Sequence, residues 1–272
     1  MSTVRRVLEG LDEITGWQEE LYVHLHANPE LSMQETETAA EVTKRLDELG
    51  YETQQIGGGV VGVLANGDGP TVLFRADMDA LPVKELTDLP YASTKTATDA
   101  DGNQVPVMHA CGHDMHVVAG LGAASLLAEQ RDAWSGTYVA LFQPGEETAA
   151  GARSMVDDGL TTKIPKPDVA LGQHVLTVPA AGEVGTTAGP ILSTGASVRV
   201  KVYGKGSHGS MPHLGVDPVV LSSAIVTRLQ TIVARELSPS EFGVVTVGSL
   251  QAGTKANIIP AEGPGSTQPM MP

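Results

Sequence analysis

The chain has 272 residues, 41% hydrophobic and 18% charged, an ordinary mixture for a globular fold, and its length suffices for one large core or two modest ones. A formal charge of -15 without a Lys/Arg cluster argues against nucleic acid or anionic lipid as partners, and no stretch approaches the ~20 apolar residues of a membrane span. The single cysteine rules out an intrachain disulfide, so that thiol is a buried small hydrophobe, a nucleophile or a ligand.

In chain order, "MSTVRRVLEGLDEITGWQEELYVHLH" mixes acidic and apolar residues at helical spacing and lacks the apolar core and cleavage site of a leader, so a cytoplasmic helix of the mature protein is expected. The segment "ETETAAEVTKRLDELG" sets Ala39, Val42, Leu46 and Leu49 on one helical face, with Gly50 placed to end it. Two β-rich runs follow in "GVVGVLANGDGPTVLFRADMDALP", joined by the turn chemistry of Asn66-Gly67-Asp68-Gly69-Pro70. A helix fits "HVVAGLGAASLLAEQR", a buried strand fits "GTYVALFQPGEE" up to its Pro-Gly turn, and "KPDVALGQHV" contains a short strand whose end carries His174. Acidic and histidine groups therefore gather where strands finish, the rim at which open α/β sheets bind ligands.

Residues 180 to 195 shift toward Ala, Gly, Thr and Pro, as a linker does. Beyond it, "ASVRVKVYG" and "GVVTVGSLQAG" read as strands on either side of a long helix in "DPVVLSSAIVTRLQTIVARE", opened by Asp217 and Pro218. The expected division is 1–185, a second and smaller α+β unit at 186–261, and a disordered tail at 262–272.

The chemistry-bearing residues start with "HACGHDMH". Cys111 and His113 lie two apart on a loop that Gly112 allows to turn, close enough to face one ion, although a buried thiol beside an unrelated histidine explains the pair equally well. Glu146 and Glu147 directly follow an apolar strand, where adjacent carboxylates are costly unless one binds a cation and the other is left free to take a proton from water beside it. A solvated turn is the bland alternative, but His174 at the next strand end is another ligand of the right type. Asp77 and Asp79, two apart in "RADMDALP", are placed to orient ligand histidines from behind or to touch the metal, and Asp114 is placed to hold His113 in the same way; capping roles weigh as much for each. His109 and His116 rank lower, and His24 and His26 are assigned to structure. In "GKGSHGSMPH", His208 among glycines and serines suits substrate contact, with His213 the weaker of the two, and Asn257 in "KANIIP" is either a neutral donor to substrate or a turn former. A cysteine nucleophile with His113 as its base leaves Glu146, Glu147 and His174 unexplained.

The ordered motifs "HANPELSMQE", "DMDALP", "HACGHD", "FQPGEE", "GQHV", "GKGSHGSMPHLGVDP" and "NIIP" resemble the M20 metallopeptidase superfamily, most closely its amidohydrolase branch of N-acyl-amino-acid and amino-acid-conjugate hydrolases. The resemblance implies a zinc-peptidase-like α/β catalytic domain, its central mixed sheet flanked by helices, interrupted by a smaller α+β lid that commonly dimerises. It implies Cys111, His113, Glu147 and His174 as metal ligands, Glu146 as general base and later acid, His208 as the lid residue that steadies the oxyanion, and Asn257 beside the substrate. Two divalent ions per site are implied, manganese or zinc, with cobalt or nickel as alternatives; thiolate and imidazole suit zinc, while carboxylates accept manganese or cobalt. The implied substrate is a small N-acyl amino acid and the implied assembly a homodimer through the lid.

Family members continue past "NIIP" with the other half of the lid and a return to the catalytic domain that supplies a further histidine ligand. The present chain runs instead into "GPGSTQPMMP", so a shortened member is expected, with the lid incomplete. An inactive member that keeps only metal binding is the alternative.

Overall fold

The computed structural model describes residues 3–178, 180–189, 191 and 194–261, and the chain divides into two compact units after Val184. The tail expected at 262–272 lies outside the described residues.

In the first unit, α1 (Thr3–Val7) and a short 3-10 turn lead into α2 (Leu11–Ala27) and α3 (Thr36–Glu48). Strands β1 (Glu52–Ile56), β2 (Gly59–Asn66) and β3 (Thr71–Asp77) follow, then a small hairpin of β4 (Thr96–Thr98) and β5 (Gln104–Pro106). The unit continues through α4 (His113–Glu129), β6 (Gly136–Gln143), α5 (Gly151–Asp157), α6 (Leu160–Lys163) and β7 (Val169–Gly172). The main sheet is mixed, in the order β1-β2-β6-β3-β7. The β2 and β3 runs are not neighbours: β6 lies between them, antiparallel to β2 and parallel to β3, and β7 extends the parallel half. A parallel return needs a long crossover, here through α4.

Alternation along the strands sends side chains to two cores. Val60, Leu64, Ala140 and Phe142 face α2, α3 and α4, meeting Leu21, Leu25, Val42, Leu46, Val117 and Leu121. Val61, Leu73, Val139 and Leu141 face the other way toward Met155 of α5, with Leu160 of α6 against them. The predicted face of α3 is buried at Ala39, Val42 and Leu46, and Leu49 packs beside it. Burying Val42 or Leu46 stabilises by about 1.5–3 kcal/mol, more than the ~1 kcal/mol of a helix cap, so the core face holds α3. Its N-terminus is capped from outside the helix by Glu30, whose carboxylate accepts from the Glu37 and Thr38 N–H groups.

A buried ionic node ties α2 to α4. His26 stands between Asp114 (Nδ1 to Oδ2, 2.7 Å) and Glu85 (Nε2 to Oε1, 3.1 Å), and Tyr22 and Tyr91 pack on its ring. Contrary to the expectation from sequence, Asp114 therefore holds His26 and not His113. Successive residues on a helix point about 100° apart, so Asp114 faces α2 while His113 faces the sheet edge.

In the second unit, β8 (Ser207–His208) pairs antiparallel with β9 (Ile258–Ile259). Helix α7 (Pro218–Leu229) opens with Pro218 after Asp217, whose carboxylate accepts the Val219 N–H at 2.8 Å, and a wide turn over Ile232–Glu236 follows. The strands expected in "ASVRVKVYG" and "GVVTVGSLQAG" are not formed. Val198 and Val244 are exposed, and a strand without neighbours and a buried face has little to hold it. Among the described residues no helix is long and apolar enough to cross a membrane.

The His26 node generates a pH-dependent prediction. Burial works to lower the imidazole pKa, but the hydrogen bonds to Glu85 and Asp114 outweigh it and raise it above the ordinary 6.5. A raised folded value means that the stabilisation is fully present below 6.5 and drains away as pH rises through the folded pKa. The gap in urea midpoint between the native chain and His26→Gln is expected to be larger near about pH 6 than near about pH 9; an equal gap would contradict a charged node.

Candidate metal centre

The parallel strands finish on one edge. Asp77, the last residue of β3, is opposite Gln143, the last of β6, and Arg75 is opposite Gly172, the last of β7. The residues just beyond these ends are Asp79, Glu146, Glu147 and His174, and α4 starts at the same edge with His113. The Glu146-Glu147 turn is bracketed by left-handed Gly145 (φ 54) and Ala149 (φ 55) and closed by Ala149 N–H on the Glu146 carbonyl at 2.8 Å. Strain at a non-glycine residue persists only where surroundings enforce it. Here Glu35, itself buried, accepts the Gly145 N–H at 2.7 Å, and Asp79 accepts the Glu147 N–H at 3.0 Å.

His113 is fully buried. Its Nδ1 lies 2.8 Å from the Asp79 carbonyl and 3.2 Å from Asp79 Oδ1, which makes Nδ1 the donor and leaves the lone pair on Nε2. Among the described residues that Nε2 has no hydrogen-bond partner, and neither has the buried Oε1 of Glu147. The two atoms are 3.9 Å apart, with Glu146 Oε2 3.9 Å and Asp77 Oδ2 3.7 Å from the same nitrogen. Cys111 Sγ lies 3.4 Å from His174 Nε2.

This donor set fits a divalent cation. Two buried acceptors left unpaired cost about 1–3 kcal/mol each unless their lone pairs serve a ligand. A sulfur and a nitrogen about 2.3 and 2.0 Å from one tetrahedral ion stand roughly 3.5 Å apart, close to the Cys111–His174 separation. Cys111, His113 and His174 form one candidate group and His113, Glu146 and Glu147 another. Asp77, His113 and His116 are also close together, but Asp77 and His116 are already committed. Asp77 bonds His116 Nδ1 at 2.6 Å and Arg75 Nη1 at 2.5 Å, and His116 Nε2 accepts the Val175 N–H at 2.9 Å.

The protonation pattern is that of a negative cluster. Burial and then the charges of Glu147, Glu146 and Asp77 push the Cys111 thiol up to about 12, and burial raises the Glu147 carboxyl. Burial also works to raise Asp79, yet hydrogen bonds from His113, Ser32 and the Glu147 N–H hold it down to about 2. A cation among these groups reverses the first two effects and displaces the thiol proton.

Asp79 thus orients His113 through Nδ1, although β3 ends before it, whereas Asp77, 3.7 Å from Nε2, spends its hydrogen bonds on His116 and Arg75. In the second unit His208 Nδ1 accepts from the Ser210 hydroxyl at 2.8 Å and the Asn257 carbonyl accepts the Gly209 N–H at 2.9 Å, so β8 and β9 bring these two residues together. His213 sits in an exposed 3-10 turn. His109 is buried with both ring nitrogens unpartnered, and burial lowers its pKa to about 4. Sequence reasoning gave no role to Ser32 and Glu35. Both lie in "HANPELSMQE", and only the fold shows Ser32 Oγ donating to Asp79 at 2.6 Å.

Fold and site together define an α/β protein with a candidate metal centre at the carboxyl edge of its sheet. Residues 73–268 match the profile of Peptidase family M20/M25/M40, and the chain belongs to that family. It is 40% identical over 240 residues to N-acetyl-L-cysteine deacetylase of Bacillus subtilis (strain 168), covering 87% of this chain and 55% of that protein. It is 39% identical over 251 residues to hippurate hydrolase of Campylobacter jejuni, covering 91% and 62%. A Bacillus subtilis crystal structure described as a dinuclear metal binding peptidase from the M20 family matches with a TM-score of 0.64 at 30% identity, over 92% of this chain and 62% of that one. The chain therefore spans a little over half the length of these relatives.

Gly112, the residue before α4, tests the packing of the site. It is left-handed (φ 80), and a β-carbon there would collide with Val175 Cγ2. Gly112→Ala is expected to lose at least about 1–2 kcal/mol in urea denaturation from backbone strain alone; a loss below about 0.5 kcal/mol would contradict this placement.

Proposed function

We propose that the chain carries the metal-binding part of an amidohydrolase that cleaves the amide bond between an acyl group and an amino acid. The observation that carries the reading is the pair of buried, unpartnered acceptors, His113 Nε2 and Glu147 Oε1, facing each other across 3.9 Å beside a thiol and a second imidazole. The names of the relatives, a deacetylase and a hippurate hydrolase, supply the substrate class.

In this reading Cys111, His113, Glu147 and His174 hold divalent ions, two per site, zinc or manganese. When bound, they supply Lewis-acid polarisation of the scissile carbonyl and lower the pKa of water. Glu146 is the proton carrier. Its side chain is 40% exposed against 20% for Glu147, so it is the more open to water and substrate, while Glu147 turns an oxygen inward. Glu146 takes a proton from the attacking water and returns it to the leaving amine, which departs as a neutral group. His208 donates to the carbonyl oxygen as charge develops on it, and Asn257 binds the substrate beside it. Asp79 fixes the His113 tautomer from behind. The second unit is assigned to substrate contact and to pairing with a second copy, and the protein to the cytoplasm.

With zinc or manganese supplied, Glu146→Gln is expected to retain metal and to lose turnover of N-acetyl and N-benzoyl amino acids by about two to four orders of magnitude. Unchanged turnover in a metal-loaded Glu146→Gln protein would refute the role.

A further inference from the structure

We propose that His116 is a positioning residue that seats the ligand His174, acting through the backbone N–H of Val175 and not through the metal. The inference rests on the reading of His174 as a ligand and extends it to a residue with no assigned role.

His174 is placed by the least secure element of the first unit. Strand β7 is four residues long, exposed along its whole length, and on the edge of the sheet. Its packing cannot fix the direction of a side chain two residues past its end. What fixes that segment is a short chain of hydrogen bonds rooted in the buried interior. Val175 N–H donates to His116 Nε2 at 2.9 Å, and His116 Nδ1 donates to Asp77 Oδ1 at 2.6 Å. Asp77, held in turn by Arg75, accepts a proton but has none to give, so it forces the His116 tautomer that leaves Nε2 as an acceptor. His116 and Asp77 are fully buried, so the bond that sets the tautomer is shielded from water, while the Val175 bond is half-buried.

Two further contacts show that the seat is specific. Gly112 lacks the β-carbon that would strike Val175, so the segment closes down on the Cys111–His113 loop. The His174 ring then stands edge-on to His116 with centroids 4.8 Å apart, which brings its Nε2 to Cys111 Sγ. His116 cannot serve as a ligand in this state, because both of its nitrogens are engaged.

The test compares substitutions that divide the two bonds. The shorter amide of His116→Asn retains the donor to Asp77 and loses the acceptor for Val175, whereas the Oε1 of His116→Gln replaces that acceptor. Zinc alone is titrated into each full-length protein by competition with a chromophoric chelator. His116→Asn is expected to weaken zinc affinity about 10–100-fold and His116→Gln to restore most of it. Adding His116→Asn to His174→Ala is expected to bring little further loss, since His116 acts only through that ligand. Additive losses, or unchanged affinity in His116→Asn, would overturn the proposal. Should His116→Asn fail to fold, the native chain loaded with an NMR-active cadmium isotope decides the matter: coupling to nitrogens of His113 and His174 but not His116 supports it, and coupling to His116 overturns it. Absence of zinc binding by the native chain would instead strike the proposed function itself.

Discussion

Negative charge gathered about one buried imidazole is the constraint around which the first unit is arranged. Asp77, Glu146 and Glu147 each place an oxygen 3.7–3.9 Å from His113 Nε2, and Asp79 occupies the opposite nitrogen. Unit charges 4 Å apart interact by about 4 kcal/mol at an effective dielectric of 20, comparable to a whole core side chain, so such a cluster needs countercharge. The chain provides one positive charge, Arg75 on Asp77, and neutral donors for Asp79 in the Ser32 hydroxyl and the Glu147 N–H. The remainder, centred on the unpaired acceptors, calls for a multivalent cation.

The fold delivers these groups by topology. Three parallel strands must end on the same side, and the turn after each extends one or two polar residues over that edge. The segment between α2 and α3 braces the result: Ala80 N–H bonds the Glu30 carbonyl at 2.8 Å, Ser32 grips Asp79, and Glu35 holds Gly145. Burying Glu35 raises its carboxyl pKa, a cost accepted in order to fix the turn that carries the two glutamates. Structure and chemistry are thus coupled by backbone hydrogen bonds as much as by side chains.

Much of this is legible in the sequence where the signal is local. Apolar periodicity gives α3 and α4, turn residues close the strands, and acidic or histidine residues at strand ends mark the rim. What is not local is not legible. That β6 enters between β2 and β3 is decided by long-range pairing, which leaves no mark within either strand. Asp114 lies beside His113 in the chain and faces away from it on the helix, a consequence of the 100° step. His116 looks like a surplus histidine until Asp77 and Val175 are seen on its two nitrogens. In the second unit, alternation in "ASVRVKVYG" promises a strand, yet a strand also needs neighbours, and periodicity does not supply them.

The central claim is that Cys111, His113, Glu147 and His174 form one metal site, and X-ray absorption at the metal edge tests it most directly. The zinc-loaded chain is predicted to show a sulfur contribution at about 2.3 Å beside nitrogen and oxygen at about 2.0–2.1 Å, with the sulfur lost in Cys111→Ser. A shell of nitrogen and oxygen alone in the native chain would contradict the site as described.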